Sequence, residues 1–181
     1  MAQERRNGPR RQRDPSMQEE KQFDERVVFV NRVARVVKGG RRFRFQALVV
    51  VGDHKGKVGI GISKGADVSA AVNKATDVAK KHLVKIPMYN STLTHEVEGQ
   101  VSGAKIKVMP AAPGTGLIAG GVVRTVLEVT GIENALSKSY GSSNRINTAY
   151  ATIDALQKSL PASKWIIKPA SRQKAEVNNE I

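Results

Sequence analysis

Val36-Val37-Lys38-Gly39-Gly40-Arg41-Arg42-Phe43-Arg44-Phe45 opens a stretch that continues to Gly65 as Q-A-L-V-V-V-G-D-H-K-G-K-V-G-I-G-I-S-K-G. Phe43, Phe45, Ala47, Val49 and Val51 alternate with Arg42, Arg44, Gln46, Leu48 and Val50, and a period of two marks a strand with one buried face. Gly39-Gly40 between apolar runs signals a two-residue hairpin turn, since such turns hold residues at φ > 0. Gly52-Asp53-His54-Lys55-Gly56 makes the next reversal, after which Val58, Ile60 and Ile62 alternate with Lys57, Gly59, Gly61 and Ser63. Three strands joined by two tight turns are predicted. One face should be apolar. The other should carry Arg42, Arg44 and Lys57 beside the bare backbone of Gly59 and Gly61, where another backbone can approach closely. Such a basic face suits a phosphate backbone, which makes Lys38, Gly39, Gly40, Arg41, Arg42, Arg44, Lys55, Lys57, Gly59, Gly61 and Lys64 the candidate RNA contacts. A plainer reading stands beside it: basic hairpin tips are common on soluble proteins, and strand glycines often only relieve crowding against a helix.

Upstream, residues 1–24 are polar, with Arg5, Arg6, Arg10, Arg11 and Arg13 close together. Too little apolar area is available there to offset ordering entropy, so a disordered basic tail is expected. Such an arm either folds onto RNA or merely aids solubility. Val27 to Val37 is rich in β-branched residues and makes the first strand. Downstream, Asp67 is placed to cap a helix whose Val68, Ala71, Val72, Ala75, Ala79 and Leu83 should cover the apolar face of the sheet. Lys74, Lys81 and Lys85 form its solvated side or a second phosphate contact. These elements make an RNA-binding domain over residues 25–87, followed by a linker over 88–93.

A second domain, residues 94–160, begins with alternating runs at Thr94–Val101 and Lys105–Met109. A loop from Pro110 to Gly116 leads to a short helix from Gly121 to Val129, with Val122, Val126 and Val129 as its buried stripe. Ile132 to Tyr140 reads as a strand. Ser143 or Asn144 then opens a helix through Leu160, with Ile146, Ala149, Tyr150, Ile153 and Leu156 on its apolar side. The order β-β-α-β-α predicts an α+β fold, and residues 161–181 remain as a tail.

The 181 residues carry a formal net charge of +14. Residues 1–90 hold 20 Lys and Arg against 9 Asp and Glu, whereas residues 91–181 hold 10 against 7. A polyanion is the natural partner of such a surface, because each phosphate neutralised releases counterions. A membrane surface fits less well, since no basic amphipathic helix with a wide apolar face is present. Ala47–Val51, the longest aliphatic run, cannot span a bilayer, and the start lacks the apolar segment of a secretory signal. With no cysteine there are no disulfides, thiolate metal sites or cysteine nucleophiles. His54, His82 and His95 have no metal-ligand spacing. A cytoplasmic protein without metal or cofactor is expected.

Gly114-Thr115-Gly116-Leu117-Ile118-Ala119 satisfies the G-x-G-x-x-G/A dinucleotide fingerprint. Pro110 and Pro113 stiffen its approach, the remaining chain supplies too few strands for a doubly wound sheet, and no acid, base or nucleophile cluster accompanies it. The loop instead offers backbone N–H groups to an RNA phosphate or packs against a neighbouring protein. An aromatic content of 4% favours reading RNA by shape and phosphates over base stacking.

V-K-G-G-R-R-F-R-F-Q-A-L-V-V-V-G-D-H-K-G-K-V-G-I-G-I-S-K-G also resembles the signature of the S-five family of the bacterial small ribosomal subunit. K-V-M-P-A-A-P-G-T-G-L-I-A-G-G-V-V-R-T-V-L-E-V-T-G-I and K-S-Y-G-S-S-N-R-I-N-T-A-Y-A-T-I-D-A-L agree with it, so the resemblance covers roughly residues 25–160. It implies a first domain like a double-stranded-RNA-binding domain without its leading helix. A second α+β domain with a left-handed β-α-β connection should follow, against the general right-handed rule. It further implies binding to small-subunit ribosomal RNA, contacts with the S-four and S-eight proteins, and a place near the path by which messenger RNA enters. Roles in assembly and translational accuracy follow, without catalysis. The family's hairpin loop, matched by Val37–Arg41, lies near the RNA that binds spectinomycin. Gly116 and Arg124 match positions of accuracy-altering changes at the S-four contact. Ser69 departs from the proline that many relatives have at the helix start. Two other readings remain open here: a free-standing double-stranded-RNA binder or RNA chaperone, and a nucleotide-dependent enzyme using Gly114–Ala119.

Overall fold

The computed structural model describes residues 23–161 and Lys164. Strands β1 (Asp24–Val37), β2 (Gly40–Gly52), β3 (Lys57–Gly65) and β4 (Val84–Lys85) form an antiparallel sheet in that order, with helix α1 (Val68–Lys81) between β3 and β4. Strands β5 (Val97–Val101), β6 (Ala104–Pro110), β7 (Leu117–Ile118) and β8 (Ala135–Gly141) form a second sheet, ordered β5-β6-β8-β7. Helix α2 (Gly121–Thr130) joins β7 to its parallel neighbour β8, and α3 (Arg145–Gln157) closes the unit. The α+β class matches the expectation; the two-residue strands β4 and β7 are additions to it.

Within each strand the alternation is as read, but the phase between β2 and β3 is not. Val49 pairs with Gly61 and Val51 with Gly59, while Leu48 pairs with Ile62 and Val50 with Ile60. Directly paired residues share a face of the sheet. Val58, Ile60 and Ile62 therefore lie with Leu48 and Val50, and Gly59 and Gly61 lie with Val49 and Val51. Helix α1 covers that second face with Ala71, Ala75 and Ala79. A Cβ on Gly61 would run into the Ala75 carbonyl and stand 2.7 Å from the Ala79 nitrogen; one on Gly59 would meet the Ala79 carbonyl. The expectation that Gly59 and Gly61 offer bare backbone to RNA is thus corrected. Alanines face glycines here so that the helix can sit close to the sheet.

The opposite face is buried as well. Leu48, Val50, Val58 and Ile60 join Leu93, Ile106, Val108, Val126, Leu127 and Val129 in one core shared by both sheets. Burying such side chains contributes roughly 1.5–3 kcal/mol each, so separating the units would remove a large part of a domain's usual stability of about 5–15 kcal/mol. The two sheets form one body.

Other boundaries shift for local reasons. A bulge between Val27 and Phe29 reverses the phase of β1. Asp24 belongs to β1 and Phe23 packs against the α1 core, so the basic tail does not extend through residue 24. The Arg5–Arg13 arm and Trp165 lie outside the described residues. α1 stops at Lys81, which leaves Leu83 in a loop and Lys85 in β4. The 88–93 segment is pinned by a Tyr89–Thr92 bridge, by the Thr92 hydroxyl donating to the Asn134 carbonyl (2.6 Å) and by buried Leu93. α2 buries Val123, Val126, Leu127 and Val129, with Val122 only half-buried, and ends at Gly131 with φ 96°. α3 is capped by Asn144, whose Oδ1 accepts from the Ile146 N–H, and it buries Thr148, Ala149, Ala151, Thr152, Ala155 and Leu156. Tyr150 stays exposed because Gly99 draws the small side of the helix, around Ala151 and Ala155, onto the sheet.

Candidate nucleic-acid interface

β1 and β2 project as a hairpin beyond the part of the sheet that α1 and the second unit cover. Its turn is Lys38-Gly39, one residue earlier than the glycine pair suggests, with Val37 opposite Gly40. Gly39 has φ +87° and Gly40 +147°, and a Cβ at either would meet nothing. These glycines permit the tight reversal, and Lys38 is the side chain that the two-residue turn carries.

Below the tip, the register sorts the cations by face. Arg35 lies opposite Arg42, Val33 opposite Arg44, and Gln46 opposite Lys64. Arg35, Arg42, Arg44 and Lys64 therefore share one face, where with Val33 they line a groove of about 260 Å³. Like charges directly across a strand pair are destabilising, and no carboxylate relieves these. Among the described residues the ion pairs use Asp24, Glu25, Glu96, Glu98, Glu128 and Asp154. None of them reaches Arg35, Lys38, Arg41, Arg42, Arg44 or Lys64. Arg35 escapes a reading of the sequence because the turn, set at Lys38-Gly39 rather than at the glycine pair, decides which β1 residues face Arg42 and Arg44.

Lys55 and Lys57 occupy the far end of the sheet, ten residues of β2 away from Arg42, or about 33 Å at strand rise. There Lys57 faces Lys85 across the β3–β4 pair. Asp53 shapes this turn: its Oδ1 accepts the N–H groups of Lys55 (2.8 Å) and Lys57 (2.9 Å). The turn docks on the end of α2, with His54 N–H donating to the Val129 carbonyl and Gly56 N–H to that of Thr130. The candidate cations thus form two clusters rather than one face.

Arg124 lies on the exposed side of α2, and its Nε donates to Glu128 Oε1 at 2.9 Å. It lines a hollow of about 530 Å³ with His54, Leu117, Glu128, Gly131, Ile132 and Glu133. Gly116, with φ +73°, adjoins Leu117 at its edge. Asn134 Oδ1 accepts both the Gly114 N–H (3.0 Å) and the Gly116 N–H (3.1 Å). These N–H groups are therefore used internally. Strand β7 also separates the loop from α2, so the expected offer of backbone donors to a phosphate at a helix start is corrected too. Among the described residues, no group of three or more His, Asp or Glu is placed to hold a metal, and no helix is long and apolar enough to cross a membrane.

Comparison with known proteins agrees with this architecture. The family described as "Ribosomal protein S5, N-terminal domain" matches residues 23–87, and "Ribosomal protein S5, C-terminal domain" matches residues 99–171. The "Small ribosomal subunit protein uS5" of Picosynechococcus sp. is 49% identical over 148 residues, covering 81% of this chain and 86% of that protein. With both family domains matched in order and nearly half the aligned residues shared, the chain belongs to the bacterial ribosomal protein S5 family and is a ribosomal protein of the small subunit, not an enzyme.

Proposed function

We propose that the chain binds small-subunit ribosomal RNA through the β1–β2 hairpin, with Lys38, Arg41, Arg42, Arg44 and Lys64, joined by Arg35, as phosphate contacts. The carrying observation is that Arg35 faces Arg42 directly across the strands, on one face with Arg44 and Lys64, while Arg41 lies opposite Val36 on the other face and Lys38 in the turn, and none of the six has an acidic partner among the described residues. Phosphates would remove that repulsion and release counterions. Lys55 and Lys57, with Lys85, serve as a second and separate backbone contact. Residues 25–87 act as the RNA-binding domain. Residues 94–160 act as the domain that meets neighbouring proteins, and 88–93 connects the two. The hollow beside Arg124 and Gly116 takes the S-four protein, while the S-eight protein and the incoming messenger lie nearby. By holding RNA and protein together, the chain supports assembly and decoding accuracy.

Neutralising Lys38, Arg41 and Arg42 together tests the RNA reading. Affinity for small-subunit ribosomal RNA should fall, and the slope of log K against log salt should flatten by roughly 0.7–0.9 for each phosphate left without its cation. A weaker affinity with an unchanged slope would mean that these residues support the fold and do not touch phosphate.

A further inference from the structure

The hairpin's other face carries different chemistry. On it Ala34 pairs with Phe43 and Arg32 with Phe45. Alanine is too small to cover the Phe43 ring, and diagonal neighbours on one face lie within reach of long side chains. The Arg32 guanidinium uses that reach, lying 3.7 Å from the Phe43 ring centroid. Arg32 has no carboxylate partner among the described residues, and Phe43 remains 48% exposed. Phe45, one step nearer the body, packs against the α1 core, so the ring beside it stands on a fixed base. The low overall aromatic content points away from base stacking, but one well-placed ring is enough for one base.

We propose that the Arg32–Phe43 stack is a platform for an unpaired nucleobase. This rests on the reading that the hairpin binds RNA, and it adds a second ligand chemistry to it. Every nucleobase offers a flat π face that stacks on a phenyl ring or a guanidinium plane. At the tip between the two faces Gly39 and Gly40 are bare backbone beside Lys38, so an RNA strand can cross there with phosphates in the Arg35–Arg42–Arg44–Lys64 groove and a base on Phe43. A perfect duplex keeps its bases in the helix and has none to give. The platform therefore selects looped or bulged RNA, whereas the groove takes any phosphate backbone.

The test uses the full-length protein and two RNA probes of equal length, a blunt duplex and a stem closed by an unpaired loop, each titrated over a range of salt. Phe43→Leu should weaken loop binding about tenfold and leave both duplex affinity and the salt slope as in the wild type. Phe43→Tyr, which keeps the ring, should restore loop binding. Arg42→Gln should show the opposite pattern, a shallower slope on both probes. Equal losses on duplex and loop for Phe43→Leu, no loss on either, or failure of Phe43→Tyr to restore binding would each overturn the platform. A wild-type protein that binds neither probe would overturn the hairpin's RNA reading as well.

Discussion

At the scale of single residues, Gly61 shows how little a strand glycine says by itself. A glycine in a strand signals a close backbone approach, and sequence does not say whose backbone arrives. Here it is that of α1. Gly61→Ala places a methyl against the Ala75 carbonyl and the Ala79 nitrogen, both held by the helix ladder and unable to swing aside. Overpacking of that kind costs about 1–3 kcal/mol and more where the backbone must move. Gly61→Ala should therefore lower the melting temperature by many degrees, and Gly61→Val should prevent folding altogether. Gly40→Ala meets no atom and strains only its own φ, so its loss should be smaller. Thermal denaturation of the three variants checks the order; a Gly61→Ala protein that melts like the wild type would return this position to the surface.

At the scale of elements, alternation and turn chemistry make β2, β3, β5, β6 and α1 legible, because each depends on contacts within a few residues. Phase is not legible. Whether Val58 lies with Leu48 or with Val49 is set by the conformation of the Gly52–Lys57 turn. A strand shifted by one residue exchanges its faces, which is why alternation alone puts Arg42 and Lys57 together while the structure holds them on opposite faces at opposite ends. The β5–β6 hairpin shows what a sequence with correct phase can encode. Glu98 pairs with Lys107 across the strands, and Lys105 and Lys107 both reach its carboxylate, at 2.8 and 3.6 Å. The hydrogen bond and charge of Lys105 hold the Glu98 carboxyl below its ordinary range, with Lys107 adding to this and partial desolvation opposing it. A depressed carboxylate pKa adds stability above the unfolded-state value, and that contribution is lost as pH falls through the folded one. Lys107 is raised, chiefly by its hydrogen bond to Glu96, so its contribution is complete at neutral pH and fades only in strong alkali. Carboxyl chemical shifts should show Glu98 titrating below a free glutamate, and Lys105→Met should bring it most of the way back. A Glu98 that titrates alike in both proteins would remove Lys105 as the cause.

At the scale of the whole molecule, one rigid connection joins the hairpin to the distant hollow. The shared core fixes the two units together, and a chain of charges runs along their surface junction. Asp24 Oδ2 lies 3.1 Å from both Arg26 Nε and His54 Nε2, and Arg26 reaches Glu128 at 2.6 Å. His54 Nδ1 is bonded to the Glu128 carbonyl at 2.9 Å. Glu128 also holds Arg124. The carboxylate that holds Arg124 is thus also the one that ties β1 to α2. Partly exposed ion pairs are worth only about 0.2–1 kcal/mol each, far less than the core beneath them. Arg26→Leu should consequently lower stability slightly, without separating the units into two melting transitions. Arg124→Leu should leave the fold intact, because its side chain is 57% exposed and, among the described residues, bonds only to Glu128. If the hollow takes a neighbouring protein, Arg124→Leu loses an outward charged donor that the partner requires, and misreading should rise while subunit yield holds. Arg26→Leu keeps that donor, and its misreading should rise less. A stop-codon readthrough reporter in cells carrying only the variant copy measures both. Wild-type readthrough and wild-type subunit yield with Arg124→Leu would leave Arg124 as a solvated residue of α2 and remove the hollow from the decoding argument.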